Sequence, residues 1–106
     1  MTTAQTARLG PLEQVPPGQG LCFVVGGREI AVFRMRDGRL FATQNRCPHR
    51  EGPLAEGLVG DGRVICPFHA WTFDLGSGRG PSGSCLATYP VRVVDGQLVV
   101  ELEGSP

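Results

Sequence analysis

Four residues have the types and spacing to do chemistry: Cys47 and His49 in Cys47-Pro48-His49, and Cys66 and His69 in Cys66-Pro67-Phe68-His69. Sixteen residues, 50–65, separate the two strings, and each string offers one thiolate and one imidazole. Those groups are ligands for zinc and iron. The proline after each cysteine removes a backbone donor and fixes φ, stiffening the loop where ligand placement has to be accurate. Asp61-Gly62 lies inside the spacer and can reverse the chain, so both strings can reach one end of a fold.

Three metal sites compete for these ligands. Mononuclear zinc also uses two Cys and two His, but it pairs Cys with Cys across about two to four residues, and His with His. The mixed strings here, with Pro48 alone between Cys47 and His49, fit that poorly. A four-cysteine iron–sulfur cluster needs Cys22 and Cys85, neither of which sits in a chelating spacing. A 2Fe-2S cluster with two Cys on one iron and two His on the other explains the mixture, because each string then supplies one ligand to each iron.

The strings continue into Ala70-Trp71-Thr72-Phe73-Asp74 and Gly76-Ser77-Gly78, and from about residue 12 to residue 102 the chain resembles the Rieske family. The resemblance implies an antiparallel β-sandwich with a small cluster-binding subdomain of two ligand loops. It implies one Rieske-type 2Fe-2S cluster held by Cys47, His49, Cys66 and His69, acting as a one-electron relay. Leu54 is expected to pack beneath the first loop, and residues 76–84 to form a third loop bordering the site. Phe68 and Trp71 flank His69, either shielding the cluster and meeting a partner or packing under the second loop. Arg46 and Arg50 are read either as docking groups or as solvated charges.

Respiratory members of the family carry an extra cysteine in each loop and a serine after the second histidine. The matching positions here are Gly52, Phe68 and Ala70. Fewer hydrogen-bond donors to the cluster stabilise its reduced, more negative form less, which implies a potential toward the low end of the Rieske range.

No complete enzyme is expected within the chain. A non-haem oxygenase needs two histidines and a carboxylate at a second iron, whereas His49 and His69 are the only histidines. There is also no Gly-rich dinucleotide-binding unit. Electrons are therefore expected from a separate flavoprotein or large subunit, docking near His49 and His69. Two pathways resemble this chain. Residues 47–57 and 88–93 resemble the small subunit of NAD(P)H-dependent assimilatory nitrite reductase, the main reading. Residues 40–47 resemble the ferredoxin component of aromatic-ring dioxygenases. A metal-stabilised interaction module without redox chemistry is the third reading.

The elements that must position these loops are β-strands. The chain has 106 residues with 16 Gly and 9 Pro, scattered among apolar runs as turns are. Residues 20–25 meet 28–35 across Gly26-Gly27, which in turn meet 39–43 across Asp37-Gly38; residues 91–94 meet 97–102 across Asp95-Gly96. Such dipeptides supply the positive φ of hairpin turns. No window sustains a helical apolar period, so the class is all-β. Residues 1–8 read as a flexible tail, 9–103 as a single domain, and about 45–84 as the cluster-binding region. Segments 45–60 and 66–84, apart from a strand at 72–74, depart from the hairpin rhythm.

A formal net charge of zero leaves no electrostatic footprint for nucleic acid or an anionic membrane. The first eight residues lack the apolar stretch of a signal peptide, and no segment approaches the roughly 18 apolar residues of a membrane helix. A cytoplasmic location is therefore expected, with Cys22 and Cys85 as free thiols.

Overall fold

The computed structural model describes residues 5–47, 52–67 and 71–102. Among them, three antiparallel sheets form. The first comprises β1 (Gln5–Pro11), β9 (Val91–Val94) and β10 (Gln97–Leu102), in the order β1-β10-β9. The second comprises β2 (Gln19–Val25), β3 (Arg28–Arg34), β4 (Leu40–Gln44) and β8 (Thr88–Tyr89), in the order β2-β3-β4-β8. A small third sheet, β5-β6-β7, comprises β5 (Leu58–Gly60), β6 (Arg63–Ile65) and β7 (Thr72–Asp74). This is the all-β sandwich with a small subdomain that the sequence implies. No helix of the described residues is long and apolar enough to cross a membrane.

Turn chemistry sets the registers. Asp61 and Asp95 both have φ of 53°, and the glycines after them have φ of 74° and 76°. Two successive positive φ values match the right-handed twist of the flanking strands. The Asp37-Gly38 connection differs from the expected two-residue turn. Met35 N–H bonds the Arg39 carbonyl at 2.8 Å and Gly38 N–H bonds the Met35 carbonyl at 3.0 Å, leaving a three-residue loop. The Asp37 carboxylate accepts the Arg39 backbone N–H at 3.0 Å and pairs with its guanidinium at 2.9 Å.

Strand β3 divides the molecule. Its run Ile30-Ala31-Val32-Phe33 is fully buried, as an apolar run covered on both faces must be. Ile30 and Val32 join Val15, Ala42, Leu98, Val100 and Leu102 in an outer core. Ala31 and Phe33 face a second core containing Leu54, Val64, Phe73, Leu75, Leu86 and both ligand-string cysteines. The alternation of the strand thus gives one wall to each core.

Three strands lie where the sequence reading has none. Residues 5–8, expected as tail, pair with 99–102 of β10, with a register shift between Arg8 and Gly10. The hydrogen-bond partner lies at the far end of the chain, so the pairing leaves no local signature. Strand β5 falls inside the expected loop 45–60, because two apolar residues between Gly57 and Gly60 become a strand only by pairing with β6. The two-residue β8 closes the second sheet against Ala42 and Thr43.

Candidate metal centre

Cys47 and Cys66 occupy equivalent positions in two loops built alike. Cys47 N–H bonds the Gly52 carbonyl at 2.9 Å, and Cys66 N–H bonds the Trp71 carbonyl at 2.7 Å. One residue outward, Arg46 bridges Pro53 and Ile65 pairs with Thr72. Each cysteine therefore opens a loop of the same length, closed by the same backbone bond. Both are 1% exposed on the same core, and none of the four cysteines forms a disulfide. His49 and His69 lie outside the described residues, as do Pro48, Arg50, Phe68 and Ala70.

The floor beneath the loops is apolar. Leu54, at the start of a 3-10 turn (Leu54–Glu56), is fully buried there, as the sequence predicts. Trp71 is half-buried, packs on this core, and has its ring centroid 6.2 Å from that of Phe73, tilted by 50°. Packing under the second loop is the reading that geometry supports for it. The third loop reaches the same core through Leu86, with Arg79 bridging Cys85. At its start the Asp74 carboxylate accepts the backbone N–H groups of Gly76 and Ser77, both at 2.9 Å. The Ser77 N–H bond, joined by that of Gly76, holds the Asp74 carboxyl below its ordinary pKa.

A polar node missing from the sequence reading anchors the first loop. Asn45, 4% exposed, donates through Nδ2 to Glu29 Oε1 at 3.0 Å and accepts the Ala55 backbone N–H on Oδ1 at 2.9 Å. Arg46 Nη2 reaches Glu29 Oε2 at 2.9 Å. These hydrogen bonds, from Asn45 first and then Arg46, hold the Glu29 carboxyl below its ordinary pKa. Asn45 stands two residues before Cys47, but nothing local marks Glu29 as its partner.

Cys22 and Cys85 are exposed and stand apart from the ligand strings in the chain. Partial burial, with the Glu29 carboxylate nearby, pushes the Cys22 thiol above its ordinary pKa, so at neutral pH it is protonated. Neither cysteine belongs to the buried core that holds Cys47 and Cys66.

Two buried thiols at matched loop positions on one core suit the thiolate half of a two-iron cluster, with each loop free to supply a second ligand. Residues 5–95 match the Rieske 2Fe-2S domain family. The chain is 36% identical over 104 residues to the ferredoxin subunit of anthranilate 1,2-dioxygenase from Burkholderia cepacia, covering 95% of each chain. A solved structure from Mycobacterium tuberculosis, described as an NADH-dependent nitrite reductase small subunit, superposes with a TM-score of 0.85 at 25% identity, over 93% of this chain and 96% of that one. A chain in the complex of reduced oxygenase and oxidized ferredoxin in carbazole 1,9a-dioxygenase gives a TM-score of 0.79 at 28% identity, over 89% of this chain and 99% of that one. The chain belongs to the Rieske family. It is a one-electron carrier whose cofactor is a single Rieske-type 2Fe-2S cluster and whose partners are redox proteins.

Proposed function

We propose that Cys47 and Cys66 hold one iron of the cluster, that His49 and His69 hold the other, and that the chain is the ferredoxin component of an oxygenase system. The observation that carries the ligand set is the equivalence of the two loops, each opening at a buried cysteine and closing through one backbone bond. Full-length likeness to a dioxygenase ferredoxin supports the pathway. Such a carrier takes one electron from a flavoprotein reductase and passes it to the terminal oxygenase.

Docking is proposed at the loop end of the small sheet, near His49 and His69. Leu58 pairs with Ile65, and Ile65 with Thr72, in a row beside the second loop. Leu58 is 74% exposed there, an apolar side chain suited to a close, dehydrated contact.

The test is direct. The purified protein should be coloured, contain iron and acid-labile sulfide in equal amounts, and give a reduced-state electron paramagnetic resonance signal with an average g below the free-electron value. Cys47→Ser or His69→Ala should abolish that signal. A colourless protein with stoichiometric zinc refutes the proposal and favours the interaction module.

A second reading, the small subunit of a nitrite reductase, is favoured by the fold likeness to the Mycobacterium tuberculosis protein. Reduced protein mixed with a terminal oxygenase or with a sirohaem nitrite reductase separates the two by which one reoxidises it. Neighbouring genes for one or the other give the same discrimination.

A further inference from the structure

The two ligand loops are alike in length and closure but not in what holds their bases. The second rises from a regular ladder, with Arg63, Val64 and Ile65 paired to Asp74, Phe73 and Thr72. The first rises from the isolated bridge between Arg46 and Pro53. Side chains stand in for the missing ladder. Asn45 joins β3 to the far side of the loop: its Nδ2 donates to Glu29, its Oδ1 accepts from Ala55, and its own carbonyl accepts the Leu54 N–H at 2.7 Å. Its backbone N–H returns to the Glu29 carbonyl at 3.3 Å. Glu29 in turn holds Arg46, the residue next to Cys47.

From this asymmetry we infer that Asn45 and Glu29 are positioning residues for the Cys47 half of the centre, a clamp that fixes one cluster arm without touching the cluster. The inference rests on the assignment of Cys47 as a ligand. A buried amide with both ends bonded holds one orientation, and removing it leaves the Ala55 N–H and a Glu29 oxygen without their partner. Groups that orient metal ligands from behind matter almost as much as the ligands themselves.

The experiment compares the holoprotein with Asn45→Ala, Asn45→Asp and Glu29→Ala. Leu98→Ala, in the outer core, serves as a control for general destabilisation. Cluster loss to an iron chelator is followed by visible absorbance, and the resonance line shape is recorded in the reduced state. Asn45→Ala should lose its cluster faster and hold it about 10- to 100-fold more weakly against the chelator, the usual affinity cost for such supporting groups, with broadened g components. Asn45→Asp keeps the acceptor for Ala55 but faces the Glu29 carboxylate, and should also lose cluster faster. Glu29→Ala, which removes the partner of Asn45 Nδ2 and of Arg46 while leaving the Ala55 bond in place, should show the same line broadening. Leu98→Ala should lower the melting temperature and leave the line shape unchanged. A wild-type signal that none of the three clamp variants alters overturns the inference and leaves the ligand assignment standing. A wild-type protein with no cluster overturns both.

Discussion

Gly57→Ala offers a sharp test of how the two loops are held together. The backbone of Gly57, with φ of −76° and ψ of 172°, is open to any residue, so turn chemistry alone forecasts a harmless change. Its surroundings forecast otherwise. A methyl carbon at this position would meet Val64 Cγ2 at 3.0 Å and the Ile65 carbonyl carbon at 3.1 Å, and would lie closer still to the Ile65 oxygen. Carbon atoms rest at about 3.5–4.0 Å, so the two segments have to part by about 1 Å, and a backbone carbonyl cannot swing aside as a side chain can. Gly57 follows the first loop and Ile65 precedes Cys66, so that separation opens the gap between the cluster arms. Overpacking of this kind costs about 1–3 kcal/mol, which lowers the melting temperature of a domain of this size by about 5–20 °C. A displacement of 1 Å also exceeds the roughly 0.5 Å within which a functional constellation tolerates error. Gly57→Ala should therefore show reduced iron and sulfide content as well as a lower melting temperature. Gly60→Ala is the matched control in the same hairpin: a methyl there meets nothing within 4 Å, and stability should hold or rise by about 0.4–1 kcal/mol. A Gly57→Ala protein with wild-type melting and full iron content refutes the close-approach argument.

Leu54→Ala and Leu98→Ala each remove a fully buried leucine and should each cost about 2–5 kcal/mol in denaturant unfolding. Only Leu54→Ala, in the core shared with Cys47 and Cys66, should also shift the midpoint potential; equal shifts in both count against two separable cores. The Asp74 carboxyl is held below its ordinary value by the Ser77 and Gly76 amides. Its contribution is therefore fully present above the ordinary carboxyl pKa of about 3.9 and is lost as pH falls through the lower folded value. Nuclear magnetic resonance of the Ser77 amide should follow that transition and Asp74→Asn should abolish it; a midpoint above 3.9 contradicts the assignment. Ala70→Ser, which puts a serine directly after the second histidine of the sequence as in respiratory members, should raise the midpoint potential in voltammetry, while an unchanged or lowered midpoint removes the basis for expecting a low potential in the native chain.

What the sequence discloses divides along the range of the interactions. The two Cys–His strings are legible because the members of each pair lie within a few residues of each other. The Asp61-Gly62 and Asp95-Gly96 turns are legible because positive φ is a property of the dipeptide itself. Strand β1 is not legible, since Gln5 pairs with Leu102 and only that contact makes it a strand. Neither are the Asn45–Glu29 clamp, which joins residues 16 apart, or the need for glycine at position 57. A close approach between segments becomes visible only when both are placed.

The clamp and the close approach both lead back to β3. Glu29, near the start of that strand, holds the first loop through Asn45 and Arg46. Ala31 and Phe33 line the core on which both cysteines rest. Just beyond its end, Met35 Sδ accepts the Gly62 N–H at 3.4 Å, tying down the turn that feeds β6, whose far end leads into Cys66. Ile30 and Val32 lock the same strand into the outer core. A strand with a different core on each face cannot shift by one residue without driving Ile30 and Val32 into the space that fits Ala31 and Phe33, and the reverse. Attaching both arms to it gives two loops of little core of their own a common rigid reference. That arrangement suits an electron carrier, in which the ligands must move little between oxidation states.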